Sequence, residues 1–594
     1  MDSSNMNADV SLPVLRNKNY KRRWTVLWIV QLLIIAHVVF WALSKKYGWF
    51  GGATLTPIEP SEGMELVKNG VINAGAIFFI LALISTLIFG RWFCGWGCHV
   101  VLLQDGCYWL LRKMGIRPKP FRSRLLMWFP FALGVYMFIW PLFYRIAVAP
   151  FVQPDLQWPG VTTHLTTTEF WNTFPPAHIA IPFLFICGFL TVYVLGAKGF
   201  CSYGCPYGGF FKPLDKASPM RIRVNDNCGQ CGKCTAACTS NVRVHEEVNI
   251  HKMVIDSGCM KIMDCVDACP NEALSVGFGE TALGKEDTKQ KQDLSINEEI
   301  VFALLFVIAF LGYRGLYAST PMLMAVGMAL VTLWFLVKTW ELMKDENVNV
   351  HKTQLKFHGC IKRAGVCFGM LSLLVTVFFV QSAAVTLFHT LGDKALNNGD
   401  VQQAVHYYTL SGPIGDGGVG LLSNPNIDTN LAKLHEQEND FAESERLLWR
   451  AAERVGRDER VYMLIGQTKQ MTGSRMNVDA FYTDNLLENP EWALVWEDYV
   501  AWLKRQQLFD ASIAASERAI AYHPENPRLI LQYGLLMMEF GNPNIAVEIF
   551  THMTEAMPSE PSSWMLLSKA HTIAGNEDAA KEAFERGSSL QNIN

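Results

Sequence analysis

The chain of 594 residues is about four times the length of a common domain of about 150 residues. Half of it is apolar and 18% charged, with a mean hydropathy of +0.15, which excludes a disordered chain, a coiled coil and a small disulfide scaffold. The formal net charge of -3, from 51 basic and 54 acidic residues, gives no global field for nucleic acid, and none is expected as a partner.

Seven apolar stretches are expected to cross a bilayer core of about 30 Å: Trp24 to Leu43, Val71 to Gly90, Leu125 to Tyr144, Ile179 to Leu195, Ile300 to Tyr313, Pro321 to Val337 and Ala364 to Leu387. Ile300 to Tyr313 is the weakest, because it is short and followed by Arg314. Basic residues are retained on the cytoplasmic side. Arg16, Lys18, Lys21, Arg22 and Arg23 precede the first stretch, and Arg112, Lys113, Arg117, Lys119, Arg122 and Arg124 follow the second. The connection from Ile146 to His178 has no Lys or Arg, whereas that from Lys338 to Arg363 has six. This pattern predicts a cytoplasmic N-terminus and, after seven spans, a C-terminal part on the far side of a bacterial inner membrane. Lys45 and Lys46 weaken the bias without reversing it. The first span is read as an uncleaved anchor, since no small-residue cleavage site follows it.

All fifteen cysteines precede position 368, and eleven fall in four groups. Clustering of this kind reads as metal ligation and not as a disulfide framework. Cys94 and Cys98 follow the second span as Cys-x3-Cys; Cys201 and Cys205 follow the fourth in the same spacing. Cys228-x2-Cys231-x2-Cys234-x3-Cys238 comes next, then Cys259 and Cys265-x3-Cys269-Pro270. The four-cysteine run lets one looped backbone place three thiolates on one iron-sulfur cube while the fourth reaches a neighbour.

The segment from Met220 to Gly277 resembles a bacterial two-cluster ferredoxin. The crossed ligation of that family implies one 4Fe-4S cluster on Cys228, Cys231, Cys234 and Cys269. The second site is then left with Cys238, Cys259 and Cys265, because Ile262 stands where the second ligand belongs. Three thiolates can hold a 3Fe-4S cluster, or a 4Fe-4S cube whose odd iron takes water, a carboxylate such as Asp264, or a more distant residue. A degenerate, empty site is the bland alternative. Thr239 replaces the usual proline after Cys238.

With the two Cys-x3-Cys pairs added, Arg22 to Gly277 resembles the membrane ferredoxin-type electron-transfer family, which includes the quinol-oxidising subunit of periplasmic nitrate reduction, the nitrous-oxide reductase accessory protein and the cytochrome oxidase accessory ferredoxin. The resemblance implies electron transfer between the quinone pool, cytoplasmic clusters and a redox partner. Pro206 matches the family after the second pair, but His99 replaces proline after the first. Cys94, Cys98, Cys201 and Cys205 are candidates to bind a metal or a further cluster, to switch between dithiol and disulfide, or to pack as small apolar residues. Cys107, Cys187, Cys360 and Cys367 lack a motif and are assigned to packing. His37 has no intramembrane partner at helical spacing, which argues against haem; His164, His178, Trp158 and Trp171 are candidate borders of a quinone pocket or simple interfacial anchors.

Beyond the last span the texture changes. Gly399, Ala404 and Tyr408 stand at Gly-x4-Ala-x3-aromatic, and Gly541, Ala546, Phe550 and Gly575, Ala580, Phe584 repeat it 34 residues apart, as do Pro527 and Pro561. This period resembles the tetratricopeptide repeat. Repeats near Ala442 and Ser512 fit more loosely, and Gly412 to Asn426 reads as an insertion. Gly415, Gly417 and Gly420 match Gly-x-Gly-x-x-Gly there, but no apolar strand precedes them.

The expected fold is a polytopic α-helical membrane protein with an inserted bacterial ferredoxin-like domain and a C-terminal α-solenoid of tetratricopeptide type. The expected divisions are a four-span part over 1–219, the ferredoxin-like domain over 220–278, a linker and three spans over 279–387, and repeats over 388–594. The leading functional expectation is an iron-sulfur electron carrier of quinol dehydrogenase type, joining the quinone pool or a cytoplasmic donor to a respiratory partner held by the repeats. The alternative is a maturation factor that reduces a metal such as copper, or a thiol, for a respiratory enzyme.

Overall fold

The computed structural model describes residues 18–118, 121–153, 156, 158–285 and 294–591. Arg16 and Lys119 of the basic segments lie outside them. The chain forms two compact units, Met1–Ala383 and Ala384–Asn594.

In the first unit, helices form at all seven expected spans. Six are long and apolar enough to cross a membrane: Lys18–Tyr47, Leu126–Val152, Ala177–Leu195, Ile296–Tyr313, Met322–Lys344 and Arg363–Asn397. The stretch Val71 to Gly90 is shorter than the sequence suggested. Val71 and Ile72 pair as a strand with Thr162 and Thr163, Asn73 caps the helix through the Ala76 N–H, and the helix covers only Ala74–Phe89. At 1.5 Å per residue its 16 residues reach about 24 Å. The weakest sequence candidate is in contrast well formed, because Ser295 and Glu298 close a capping box at its start.

Proline shapes two of the spans. Pro141 and Pro150 each open an α-helical piece that follows a π-helical turn, and Pro182 lies just before a third such turn, Phe185–Leu190. A residue without an N–H cannot donate to the carbonyl four residues back, so the ladder widens locally. Leu32, Leu33, Leu373 and Leu374 are exposed on helix surfaces, as lipid contact requires. The basic connection after Met322–Lys344 folds into three short antiparallel strands, Val348–Val350, Thr353–Phe357 and Cys360–Ile361.

The second unit is a succession of helices from Val401–Ser411 to Glu577–Gln591, each packed on the next. Asn526 and Asn542 cap helices whose first residues are Pro527 and Pro543, the arrangement that satisfies orphan N–H groups without needing the proline's own. Small residues lie where helices touch: Ala404 and Ala546 are fully buried, and a Cβ on Gly534 would press the Phe550 ring. Two details depart from the repeat pattern. Gly399 and Gly575 adopt the left-handed conformation but Gly541 does not, and Phe584, at the position of buried Tyr408 and Phe550, is exposed on the last helix. Gly415 and Gly417 sit in a short turn, Ile414–Asp416 and its cap, and no strand leads into it.

Phe550 is fully buried between helices. Phe550→Ala is expected to destabilise the repeat unit by about 3–5 kcal/mol, lowering its thermal transition in the full chain while the iron content stays unchanged. A transition within a degree of the parent protein's would contradict this packing.

Candidate metal centres

The ferredoxin-like domain is closed by two antiparallel strands, Met220–Val224 and Leu274–Phe278, in the register Met220 to Phe278 through Val224 to Leu274. Between them two cysteine loops share one backbone plan. In the first, Gln230 and Gly232 have positive φ; in the second, the equivalent Lys261 and Met263 do. A methionine held at φ 70° is uncommon, so the second loop keeps the cluster-binding turn although its second ligand is missing.

The structure brings the first predicted ligand set together. Cys228, Cys231, Cys234 and Cys269 line one cavity with His245 and Asn271, and the Ala273 N–H donates to Cys269 Sγ at 3.3 Å. Cys238, Cys259 and Cys265 share the domain core with Ile222, Val244 and Val248. Burial beside Cys259 pushes the Cys238 thiol up to about 12. Burial also pushes Cys265 well up, with Cys238, Cys259 and Asp264 adding to it. Asp264 is buried; its Oδ2 accepts from Thr239 at 3.1 Å and its Oδ1 has no partner. Desolvation first, then nearby Asp105, raise its carboxyl to about 6, against the lowering effect of Arg23.

Ile262 does not join this group. It packs instead with Met260, Val101 and Cys201, against Cys94 and Cys98. The loop that lacks a ligand is therefore the loop that meets the membrane-side cysteines. Its approach requires glycine at position 95, where a Cβ would run into the Met260 carbonyl.

The two Cys-x3-Cys pairs occupy equivalent places. Cys94 lies in Trp92–Trp96 and Cys98 caps His99–Lys113; Cys201 lies in Gly199–Tyr203 and Cys205 caps Pro206–Ala217. The cap dihedrals agree, φ -89°, ψ 122° at Cys98 and φ -82°, ψ 112° at Cys205, so His99 in place of proline leaves the backbone unaltered. Each capped helix packs on the other pair's span. The exchange brings all four cysteines within electrostatic reach of one another.

Charged residues fix this joint. Asp105 pairs with Arg23 at 2.7 Å and with Lys198. Asp215 accepts from the Arg91 N–H at 2.9 Å and pairs with Lys261 at 2.8 Å and Arg221 at 3.3 Å. Arg91 Nη1 donates to the Ser257 carbonyl at 3.0 Å, Trp96 Nε1 to that of Lys261 at 2.8 Å, and Arg23 Nη1 to that of Gly95 at 3.1 Å. Asp267 accepts from the N–H groups of Asn19 and Tyr20 at the start of the first span. All these charged side chains are buried. Sequence reasoning missed them; a basic residue three positions before the first cysteine of both pairs, Arg91 and Lys198, was the available signal.

Of the cysteines assigned to packing, Cys187 is buried, but Cys360 and Cys367 are exposed and do not pack. His37 is engaged by Thr54 Oγ1 at 3.1 Å and its ring lies tilted against Phe170. His164 and His178 are exposed.

Because Cys231 is one of four thiols around a single cavity, Cys231→Ser is expected to remove one cluster, read as lost iron and sulfide and a missing reduced signal. Unchanged content and spectrum would contradict this ligand set.

Comparison with known proteins agrees with this geometry. A 4Fe-4S binding domain model matches twice, at residues 73–117 and 177–225, and a 4Fe-4S dicluster domain model matches residues 220–270. The methylamine utilization ferredoxin-type protein MauN of Methylobacillus flagellatus is 24% identical over 254 residues, 38% of this chain and 80% of that protein. The putative electron transport protein YccM of Escherichia coli is 25% identical over 276 residues, 43% and 74% of the two chains. The ferredoxin-type protein NapH of Haemophilus influenzae is 25% identical over 196 residues, 32% and 63%. A tetratricopeptide repeat protein from Parabacteroides merdae matches with a TM-score of 0.28 and 14% identity, over 35% of this chain and 80% of that one. The chain is thus a membrane-helix protein with 4Fe-4S binding domains, similar over its ferredoxin-like part to ferredoxin-type electron-transfer proteins and continued by a succession of packed helices.

Proposed function

We propose that this protein carries electrons through the bacterial inner membrane's cytoplasmic face, between the quinone pool or a cytoplasmic donor and a respiratory redox partner held by the repeat unit. One observation carries the reading: the loop that supplies Cys259 and Cys265 also presses Met260 and Ile262 against Cys94, Cys98 and Cys201, so one loop joins the ferredoxin core to the membrane-side cysteines. Cys228, Cys231, Cys234 and Cys269 would hold a 4Fe-4S cluster that supplies one-electron transfer. Cys238, Cys259 and Cys265 would hold a 3Fe-4S cluster or a 4Fe-4S cluster with a non-cysteine ligand, and the unpartnered Oδ1 of Asp264 supports the second form.

The orientation rests on charge. If Ala74–Phe89 crosses with the six longer helices, the basic N-terminus and the ferredoxin-like domain are cytoplasmic and the repeats periplasmic. Stacked helical repeats offer an extended surface and no chemistry of their own, which suits the holding of a partner.

The anaerobically purified full chain, reconstituted in lipid nanodiscs, is expected to be reduced by a short-chain quinol, read as bleaching of its iron-sulfur absorbance and growth of reduced cluster signals. Inertness to quinol together with rapid reduction of added copper(II) would overturn the carrier reading in favour of a maturation factor.

A further inference from the structure

The last apolar helix, Arg363–Asn397, is 35 residues long, well beyond the about 20 residues that a hydrocarbon core of about 30 Å requires. After Arg363 its sequence has no Asp, Glu, Lys, Arg or His until His389, and Asp393 and Lys394 follow soon after. Val380 and Leu387 are exposed on it, as are Leu373 and Leu374 earlier in the helix. The helix therefore leaves the hydrocarbon close to residues 385–388, and its remaining turns stand outside.

The chain then returns to that level. Asp400 accepts from the Gln403 N–H and so starts the helix Val401–Ser411, which runs antiparallel beside the end of the span. Tyr408 donates to Asp393 at 2.7 Å, its ring would meet a Cβ placed on Gly392, and Ser411 donates to the Val385 carbonyl at 3.1 Å. The glycine-rich segment that follows, Gly412 to Leu422, thus begins at the height where the apolar span ends.

This segment is held in one shape. The Ile414 N–H donates to the Gly420 carbonyl at 2.9 Å, that of Gly418 to Pro413 at 3.1 Å, that of Val419 to Leu410 at 2.9 Å and that of Gly420 to Gly412 at 2.8 Å. A Cβ on Gly418 would lie 2.1 Å from the Gly412 oxygen, so the close return of the loop requires glycine there. Asp416 pairs with Arg446 at 3.3 Å and with Arg450, which ties the loop to the helix Phe441–Val455. Within this fixed frame Ile414, Leu421 and Leu422 remain 63%, 57% and 46% exposed. Three large apolar side chains held outward by a rigid loop are unfavourable in water and favourable at the boundary of a bilayer.

We infer that the loop Gly412 to Leu422 is a membrane-contact element, whose Ile414, Leu421 and Leu422 enter the acyl-chain boundary of the leaflet from which Arg363–Asn397 emerges and brace the start of the repeat unit on that surface. The occupant is lipid, because the loop starts beside Val385, where the lipid-facing surface of the last span ends. This role explains the Gly-x-Gly-x-x-Gly pattern without a nucleotide: its glycines shape the loop. The inference goes beyond the electron-carrier reading and holds on whichever side of the membrane the repeats stand.

The test uses the full chain in nanodiscs of mixed phosphatidylethanolamine and phosphatidylglycerol, with a diazirine amino acid placed at position 414, at 421 or, as control, at 476, where Met476 is 79% exposed on another helix of the same unit. Illumination is expected to give lipid adducts from positions 414 and 421 and none from 476. Leu421→Asp combined with Leu422→Asp is expected to abolish the adduct at 414 while leaving the thermal transition of the repeat unit and the iron content unchanged. No lipid adduct above that of position 476, adducts from 414 and 421 to a protein chain in place of lipid, or an adduct at 414 undiminished in the aspartate variant would each overturn the inference. Lipid adducts in a protein inert to quinol would support the contact and contradict only the proposed electron donor.

Discussion

Two buried carboxylates fix the joint at the ferredoxin-like domain: Asp215 ties that domain to the membrane helices, and Asp105 ties those helices to one another. Taking a charge out of water costs several kcal/mol, and a buried pair recovers this only with close partners and good hydrogen bonds. Each carboxylate here has two cationic partners: Arg23 and Lys198 for Asp105, Arg221 and Lys261 for Asp215. Losing one partner leaves a charge stranded in a low dielectric, so the joint admits few alternative arrangements. Those same pairs fix Arg91, Gly95 and Lys261, and through them the distance between the second ferredoxin loop and the Cys-x3-Cys pairs.

The joint explains why the second loop departs from its family's pattern. Lys261 turns to Asp215 through a left-handed backbone, Trp96 binds the Lys261 carbonyl, and Met260 and Ile262 fill the space over Cys94, Cys98 and Cys201. A loop that answers to two sites at once keeps its turn geometry and gives up one ligand. Glycine at 95 is what lets the two backbones meet.

Much of this was legible in the residues themselves because the determinants are local in sequence. Ligands on one looped segment announce a cluster through spacing alone, and Cys228, Cys231, Cys234 and Cys269 do line one cavity. The 34-residue period of the repeats is likewise local, and Ala546 and Phe550 are buried as it requires. What spacing could not reveal were contacts between segments well separated along the chain. The convergence of the two Cys-x3-Cys pairs depends on helices exchanged between spans, and the Asp105 to Lys198 and Asp215 to Lys261 pairs belong to the same class. Hydropathy also overran one boundary: Val71 and Ile72 are apolar enough to extend a span, yet pair as a strand before the Asn73 cap. Phe584 kept its place in the pattern but is exposed, since no later helix among the described residues packs over it.

The central claim is that the second ferredoxin loop meets both halves of the membrane unit at one buried joint. Cryo-electron microscopy of the anaerobically purified full chain tests this directly. Met260 and Ile262 packed over Cys94, Cys98 and Cys201, with Asp215 bonded to both Arg221 and Lys261, is the result predicted. Two separated cysteine pairs, each closed by its own disulfide or open to solvent, would contradict it.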